Sequence, residues 1–328
     1  MTDTLIDRIE RIGAAMRPTP LVALPHERVD LHLKLESSNP TGSTKDRAAF
    51  AILHEAARAG LIAPGATVVE SSSGNFAVSL TTFCRHLGLR FVPVIDPSIN
   101  TSTERFLRLG CDRVEKVISG DEHGFLASRL DVVQQLRREH PDAYWPNQYA
   151  NPAAARGHFE FTGAELCADL PAVDYVFVGV GTGATLAGIS QRVKHDRPAA
   201  KVIAVDAEGS VIFGGPAGRR RIPGIGSTIQ PGLVNQAIVD EVILVPERDT
   251  VLACRRLLRE TGLYAGGSTG SVLAAIDEYF AGYRGRRPTV AFLCADRGAA
   301  YTDTIYDDRW VRHELGLDLA PRLAAVPS

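Results

Sequence analysis

The stretch Asn39-Pro40-Thr41-Gly42-Ser43-Thr44-Lys45-Asp46-Arg47 joins a predicted strand at residues 31–35 to a predicted helix at residues 46–59. Gly60 ends the helix pattern, as expected of a residue that follows a helix C-terminus. A lysine at such a turn, Lys45, can be partly desolvated, which lowers the pKa of its amine and lets it form an imine with an aldehyde. A surface lysine that follows a turn is the alternative, and this stretch alone leaves both interpretations open.

Strand patterns alternate with helix patterns along the rest of the chain. Predicted strands lie at residues 67–70, 90–95, 113–117, 175–180, 201–205, 241–245 and 289–294. Predicted helices lie at residues 5–16, 76–87, 101–109, 123–139, 153–168, 186–195, 248–261 and 271–283, and a glycine turn is predicted at residues 265–270. The alternation predicts an α/β protein with βαβ units and mostly parallel sheets. We expect two domains, at residues 1–150 and 151–328, with the segment at about 14–36 packed with the second.

The composition is typical of a globular protein. The 328 residues are 45% hydrophobic and 23% charged, and the net charge is -2. A chain so close to neutral gives no reason to expect a nucleic acid or an anionic membrane as partner. The N-terminus lacks the features of a signal peptide, and no apolar run approaches the roughly 18 residues of a membrane span, so we expect a cytoplasmic protein. The 5 cysteines form no CxxC pair and the 9 histidines are dispersed, so no metal site is predicted.

A glycine-rich stretch, GVGTGAT at residues 179–185, follows the continuous apolar pattern of residues 175–180. Backbone N–H groups converge at such a turn and the following helix N-terminus favours an anion, so the stretch predicts a phosphate site. The hydroxyls of Thr182 and Thr185 are expected to add donors. From this stretch alone a nicotinamide enzyme is an alternative, because the spacing also fits GxGxxG/A and Asp206 follows where a ribose-binding acid belongs.

Two further polar stretches open helix patterns. Residues 71–75, SSSGN, present hydroxyls, N–H groups and an amide that together could bind a carboxylate. Serine and asparagine are also favoured there as helix N-caps, which is the structural alternative. Residues 266–271, GGSTGS, contain a serine between glycines, which by itself indicates a turn, with a nucleophilic serine as a further alternative.

In their order and spacing these four stretches resemble the β-family, or fold type II, of pyridoxal phosphate enzymes, the group of cysteine synthase and cystathionine β-synthase. The resemblance extends from about Pro18 to Asp296 and implies a pyridoxal 5′-phosphate cofactor. It implies that Lys45 is both the Schiff-base lysine and the base of the reaction, and that Ser268 hydrogen-bonds the pyridine nitrogen. Four ordered motifs outweigh the nicotinamide alternative, which leaves Asp206 an ordinary acid at a strand end.

The resemblance also implies roles for the other stretches. The residues implied to bind the cofactor phosphate are Gly181, Thr182, Gly183, Ala184 and Thr185. The residues implied to bind the substrate carboxylate are Ser72, Ser73, Gly74, Asn75 and Gln148. Asn75 is further implied to contact the ring hydroxyl of the cofactor. Amino-acid substrates and a homodimer are implied as well.

Several segments resemble the siderophore branch of this family more closely, at residues 147–151, 204–214, 223–226, 265–271 and 296–310. This resemblance implies β-replacement on an O-activated L-serine, with O-phospho-L-serine favoured as donor and L-glutamate as amine nucleophile. The product would be N-(2-amino-2-carboxyethyl)-L-glutamate, a precursor of L-2,3-diaminopropionate. Arg129 and the arginines of residues 219–221 are candidate partners for the glutamate carboxylates, with solvated loop charges as the alternative. Tyr149 is expected to shape the leaving-group pocket.

One position departs from that branch, since this chain has Gly181 where the branch has serine. At this position it is similar to an ordinary cysteine synthase, so an O-acetylserine or O-phosphoserine sulfhydrylase is an alternative activity. A serine or threonine dehydratase of the same fold is a second alternative. The alternative to an enzyme is a non-catalytic binding protein. Such a protein would lack the visible absorption band, shifted by substrate, that is expected of a pyridoxal phosphate enzyme.

Overall fold

A computed structural model of the chain describes residues 4–120 and 124–319. Its helices are α1 (Leu5–Ala15), α2 (Lys45–Arg58), α3 (Asn75–Leu87), α4 (Thr101–Gly110), α5 (Leu126–Glu139), α6 (Pro152–Gly157), α7 (Ala164–Asp169), α8 (Ala184–Asp196), α9 (Glu247–Thr261), α10 (Gly267–Tyr279) and α11 (Asp308–Leu315). Its strands are β1 (Leu21–Leu24), β2 (Asp30–Lys34), β3 (Thr67–Ser71), β4 (Arg90–Ile95), β5 (Glu115–Lys116), β6 (Tyr175–Gly179), β7 (Lys201–Ala207), β8 (Glu241–Val245) and β9 (Thr289–Leu293). Short 3-10 helices lie at Glu36–Ser38, Gly232–Gln236 and Gly298–Tyr301, and a π-helical turn at His158–Gly163 joins α6 to α7.

The strands form two sheets. The larger has the order β1-β2-β9-β6-β7-β8 and the smaller the order β3-β4-β5. The pairing of β1 with β2 is antiparallel and the other pairings are parallel. The predicted α/β fold with mostly parallel sheets is therefore confirmed. β1 and β2 belong to the larger sheet, through the pairing of β2 with β9, while the domain boundary near residue 150 stays a prediction.

The central strand β6 explains where the ligand-binding edge lies. Phe177 packs with residues of α10, and its neighbours Val176 and Val178 pack with residues of α8 on the other face. A strand covered on both faces by helices needs a continuous apolar run, which is the pattern of residues 175–180. Because parallel strands end at one edge of the sheet, this packing brings the N-terminus of α8 to the carboxyl end of β6.

The glycine turn predicted at residues 265–270 is wrong in its position, because α10 already begins at Gly267. The stretch GGSTGS therefore lies largely within the first turns of the helix. Glycine is a poor helix former, but close packing requires it here. A Cβ placed on Gly270 would lie 2.6 Å from the carbonyl oxygen of Thr250, on the adjacent helix α9.

Further elements differ from the predicted ones. The strand β1 was not predicted, and α10 ends at Tyr279 rather than at residue 283. Of the strand predicted at 113–117, only β5 forms, because its two residues alone pair with β4. The helix predicted from residue 123 begins at Leu126, and residue 123 itself lies outside the described residues. The helix predicted at 153–168 is interrupted by the π-helical turn, a feature frequent at functional sites.

Across residues 4–120 and 124–319, no helix combines the length and the apolar character that crossing a membrane would require.

Candidate active site

A cavity of about 770 Å³ opens at the carboxyl ends of β6 and β9, whose last residues line it. The predicted site residues that line this cavity are Lys45, Ser72, Ser73, Gly74, Asn75, Arg129, Gln148, Tyr149, Gly181, Thr182, Gly183, Thr185 and Ser268. Ala184 is not part of the lining and instead forms the first residue of α8. Four stretches that are far apart in sequence thus meet at one cavity.

Lys45 is the first residue of α2, and its side chain lines the cavity. Burial lowers the pKa of the Lys45 amine below its usual value, and the carboxylate of Asp296 opposes this effect in part. The next residue, Asp46, accepts hydrogen bonds from the backbone N–H of Thr41 at 2.7 Å and from the hydroxyl of Ser79 at 2.6 Å. Because Ser79 belongs to α3, Asp46 fixes the lysine turn against the helix that follows residues 71–75.

Ser72 and Ser73 are already engaged within the protein, whereas the buried hydroxyl of Ser71 has no hydrogen-bond partner among the described residues. The hydroxyl oxygen of Ser72 accepts the backbone N–H of Ala77 at 3.2 Å, so it caps α3 and keeps its own proton available. The hydroxyl of Ser73 donates to Asp96 at 2.8 Å and accepts from Arg129 at 3.1 Å. Binding of a substrate carboxylate by the Ser73 hydroxyl would therefore require its bond to Asp96 to break, whereas binding by the backbone N–H of Ser73 would not.

Asp296 is a site residue that sequence reasoning missed as a functional group. Its carboxylate accepts hydrogen bonds from Asn75 Nδ2 at 2.7 Å and from the hydroxyl of Tyr301 at 2.9 Å. Burial raises the pKa of Asp296, while these two hydrogen bonds and the charge of Lys45 lower it. The carboxylate thus fixes the amide of Asn75. The sequence feature that could have indicated a role for Asp296 is its position directly after an apolar strand pattern.

The glycine turn at residues 181–185 has the geometry of an anion site. Gly183 has φ of 86°, and a Cβ there would lie 2.7 Å from Val234 Cγ2, so both backbone and packing require glycine. The first N–H groups of α8 follow at once and have no partner within the helix, and the helix dipole favours a negative group there. The hydroxyl of Thr185 lies 3.2 Å from His158 Nε2, a contact that the sequence did not indicate.

Replacement of Gly183 by alanine is expected to lower the free energy of unfolding by about 2–3 kcal/mol, since left-handed strain and overpacking add. Urea denaturation measures this loss, and equilibrium dialysis of the cofactor measures the accompanying loss of affinity. Gly60→Ala is the matched control, because Gly60 has φ of 70° but no atom within 4 Å of an added Cβ. Equal effects of the two substitutions on cofactor affinity would contradict the role of the turn.

Gln148 and Glu70 lie beneath residues 71–75. Gln148 donates its side-chain amide to the carbonyl oxygen of Ser71 at 2.8 Å and its backbone N–H to Glu70 at 3.2 Å. Glu70 also accepts the backbone N–H of Ser71 at 2.8 Å, and burial raises the pKa of Glu70 to about 7. Glu70 was not predicted as a site residue from the sequence. An acidic residue within an apolar strand pattern nevertheless indicates a buried carboxyl group.

Glu70 should make stability depend on pH. Its pKa is raised on folding from 4.5 to about 7, so its contribution is fully present below pH 4.5 and is lost as the pH rises through 7. The upper bound of this loss is roughly 3 kcal/mol. Glu70→Gln, which keeps an acceptor for Ser71, should flatten the pH dependence of the unfolding free energy between pH 5 and 8. An unchanged slope would contradict the assignment.

Ser268 lies in the first turn of α10 and lines the cavity. Within the described part of the chain its hydroxyl has no hydrogen-bond partner, so it can donate to a ligand. Of the loop arginines, Arg219 and Arg221 pair with Glu314 of α11 at 3.3 and 3.0 Å. Arg220 and Arg221 line the cavity, whereas Arg219 does not.

The residues present fit pyridoxal phosphate on structural grounds. The glycine turn before α8 offers backbone donors to a phosphate, and Gly183 leaves no room there for a side chain. Lys45 offers an amine with a lowered pKa, and the Ser268 hydroxyl is available for a ring nitrogen. Within residues 4–120 and 124–319, no cluster of three or more His, Cys, Asp or Glu side chains is arranged to hold a metal ion.

The chain belongs to the family of pyridoxal-phosphate-dependent enzymes, whose family model matches residues 12–295. Its cofactor is therefore pyridoxal phosphate, and the nicotinamide and binding-protein alternatives are set aside.

Among curated relatives, the chain is similar to two proteins named N-(2-amino-2-carboxyethyl)-L-glutamate synthase. The protein of Ralstonia nicotianae is 42% identical over an alignment of 301 residues, which covers 89% of this chain and 88% of that protein. The protein of Cupriavidus metallidurans is 42% identical over 329 aligned residues, which cover 98% of this chain and 95% of that protein. The predicted kinship with this branch of the family is confirmed.

Two solved structures share the fold over nearly their full length. O-acetylserine-dependent cystathionine β-synthase of Helicobacter pylori matches with a TM-score of 0.83 and 23% identity, covering 94% of this chain and 99% of that one. O-ureido-L-serine synthase matches with a TM-score of 0.82 and 26% identity, covering 95% of this chain and 99% of that one. The second likeness supports a β-replacement enzyme.

Proposed function

We propose that this enzyme joins an O-activated L-serine, preferably O-phospho-L-serine, to the amino group of L-glutamate and produces N-(2-amino-2-carboxyethyl)-L-glutamate. The observation that carries the proposal is the 42% identity to two synthases named for this product, over 89% and 98% of the chain. The proposal includes a homodimer that acts in the cytoplasm, and light scattering of the purified protein tests the dimer.

Lys45 is the proposed tether of the cofactor and the proposed base. When bound, pyridoxal phosphate supplies an electron sink for the charge that develops at the substrate Cα. Because burial lowers the pKa of Lys45, more of its amine is unprotonated at neutral pH. Nζ can then take the proton from Cα, while the Cβ–O bond of the donor breaks and its leaving group departs as phosphate. The glutamate amine bonds to Cβ and releases one proton to solvent, and Nζ returns a proton to Cα.

The polar residues around Lys45 would orient the donor. Asn75, whose Nδ2 is held by Asp296 at 2.7 Å, is proposed to contact the ring hydroxyl. The N–H groups at the start of α3 and the free proton of Ser72 are proposed to bind the α-carboxylate. Ser268 is proposed to hydrogen-bond the pyridine nitrogen. Fixing the carboxylate and the ring orients the Cα–H bond toward Nζ, and such positioning contributes several kcal/mol to catalysis.

Arg129 is the proposed partner of a glutamate carboxylate. Its Nε lies 3.2 Å from Asp96, its Nη1 donates to Ser73, and its side chain is 12% exposed. Tyr149 lies beside the guanidinium and lines the same cavity. An arginine held by two neighbours in this way presents its remaining N–H groups in a fixed direction, as recognition of a carboxylate requires.

Arg129→Gln is expected to raise KM for L-glutamate by about 10- to 100-fold, because a charge-assisted hydrogen bond is worth about 1.5–3 kcal/mol. Steady-state kinetics with varied glutamate measure this change. Arg138→Gln, an exposed position on the same helix α5, is the matched control and should leave KM unchanged. The role is contradicted if KM for glutamate stays constant while the spectral response to the donor alone is lost.

A cysteine synthase activity is the second candidate, favoured by Gly181. A Cβ at this position would approach only the carbonyl oxygen of Gly224, at 3.5 Å. Packing within the described residues therefore does not require glycine here, and we attribute its presence to the ligand. Mass spectrometry of products after incubation with O-phospho-L-serine and L-glutamate tests the leading proposal, and consumption of sulfide without consumption of glutamate would favour the second.

A further inference from the structure

A buried series of hydrogen bonds leads from the phosphate turn into the protein. The hydroxyl of Thr185 lies 3.2 Å from His158 Nε2, and His158 Nδ1 lies 3.2 Å from the hydroxyl of Thr162. The Thr162 hydroxyl donates to Glu36 at 3.3 Å. We name these four residues the His158 network. His158, Thr162 and Glu36 are fully buried, so the histidine ring has no direct contact with solvent in the ligand-free protein.

The acceptor at the inner end fixes the direction of every bond. Glu36 is the acceptor at this end, since besides Thr162 it accepts from the Thr19 hydroxyl at 2.8 Å and from Asn39 Nδ2 at 2.9 Å. The Thr162 proton therefore points to Glu36 and the Thr162 oxygen is left to accept the proton of His158 Nδ1. His158 Nε2 is then the unprotonated nitrogen of a neutral ring, and the Thr185 proton points to it.

This direction conflicts with the role that the sequence predicts for Thr185. A fully ionised phosphate in the 181–185 turn has no O–H group and can only accept hydrogen bonds. The Thr185 hydroxyl must therefore act as a donor to it. If the Thr185 hydroxyl turns its proton to the phosphate, the Thr185 oxygen and the unprotonated His158 Nε2 face each other as two acceptors with no proton between them. That arrangement costs the free energy of a buried unpaired polar group.

We propose that His158 takes up one proton when the cofactor phosphate binds, and that it thereby frees the Thr185 hydroxyl to donate to the phosphate. The proton comes from solvent or from a singly protonated phosphate monoester, which then binds as the dianion. Nε2–H donates to the Thr185 oxygen, Thr185 donates to phosphate, and Nδ1–H still donates to Thr162. Each donor in the His158 network then has one acceptor. The inference rests on the cofactor of the family and not on the proposed nucleophile.

The charges around His158 are consistent with a ring that is neutral without a ligand and becomes protonated when a phosphate binds. Without a ligand, burial, Lys45 and Arg47 hold the pKa of His158 well below its usual range. Arg47 is itself offset by Glu165 at 2.7 Å and by Glu36 at 3.5 Å. A phosphate dianion beside Thr185 adds negative charge on the side of Nε2, which raises the pKa of His158.

Packing keeps His158 in place while its charge changes. A Cβ on Gly188, in α8, would lie 2.6 Å from His158 Cβ and 2.7 Å from the backbone nitrogen of Phe159. The π-helical turn that carries His158 is therefore pressed directly against α8, the helix that begins beside Thr185. His158 is a positioning residue, because it acts on the phosphate through Thr185.

The test is ¹⁵N NMR of histidine ring nitrogens in the pyridoxal phosphate holoenzyme at pH 7.5. The signals of His158 are those lost in His158→Gln, or, if this variant fails to fold, those displaced in Thr162→Ser. The expected result is that both ring nitrogens of His158 carry protons. In Thr185→Val, which removes the acceptor of Nε2–H, His158 is expected to return to one protonated and one unprotonated nitrogen.

Thr182→Val is the matched control, because Thr182 belongs to the same turn but, within the described residues, no hydrogen bond joins it to His158. It should leave both His158 nitrogens protonated. A neutral His158 in the wild-type holoenzyme would overturn the proposal. A doubly protonated His158 in Thr185→Val would overturn the transfer through Thr185. These outcomes do not depend on whether glutamate is a substrate.

Discussion

Lys45→Ala is expected to remove the visible absorption band of the lysine-bound cofactor and to reduce turnover by roughly 10⁴-fold or more, because it deletes the tether and the base together. The amine lines the cavity and has a pKa lowered by burial. Borohydride reduction of the wild-type holoenzyme, followed by peptide mass spectrometry, should place the cofactor on Lys45. The absorption spectrum and steady-state turnover of the variant then measure the two losses.

Lys116→Ala is the matched control for Lys45. Lys116 is also a lysine, but it pairs with Glu104 at 2.6 Å on the surface and is not one of the residues that line the cavity. Its replacement should leave both the visible band and turnover unchanged. A Lys45→Ala protein that still carries a covalently bound cofactor after borohydride reduction would contradict the assignment.

Arg47→Met is expected to lower the free energy of unfolding by about 3–5 kcal/mol, the usual cost of leaving buried charges without their partner. Arg47 is fully buried and lies 2.7 Å from Glu165 and 3.5 Å from Glu36. Without Arg47, the negative charges of Glu165 and Glu36 would lose this partner. Lys34 would offset only part of that negative charge, through its ion pair with Glu165 at 3.1 Å. Urea denaturation at neutral pH measures the loss.

Arg156→Met is the corresponding surface control. Arg156 pairs with Glu55 at 2.7 Å, but both side chains are about half exposed, at 52% and 43%. A pair so exposed contributes about 0–1 kcal/mol. The assignment of Arg47 as the central cation of a buried ion network would be wrong if its replacement cost no more than that of Arg156.

The parts of the site that could be predicted are those with a local signal. A lysine after the turn at residues 39–47, the glycines of residues 179–185 and the polar residues 71–75 each carry their chemistry within a few positions. Strand and helix periods placed these turns at the ends of strands, so their convergence on one edge followed from the parallel sheet. The cavity lining agrees with that expectation.

The parts that could not be predicted depend on contacts between distant segments. Asp296 matters because Asn75 and Tyr301 both donate to it, and its position after an apolar strand does not indicate either partner. His158 reaches Thr185 only because α8 packs on the π-helical turn. The start of α10 at Gly267 is likewise set by packing on α9, which overrides the weak helix propensity of glycine.

The most direct test of the proposed reaction is a competition. The holoenzyme is incubated with O-phospho-L-serine and equal concentrations of ¹⁵N-labelled L-glutamate and sulfide, and the products are measured by mass spectrometry. The predicted result is N-(2-amino-2-carboxyethyl)-L-glutamate with the label on its bridging nitrogen as the main product, absent when glutamate is omitted. Cysteine as the main product, with glutamate unconsumed, would contradict the proposed function and leave a cysteine synthase.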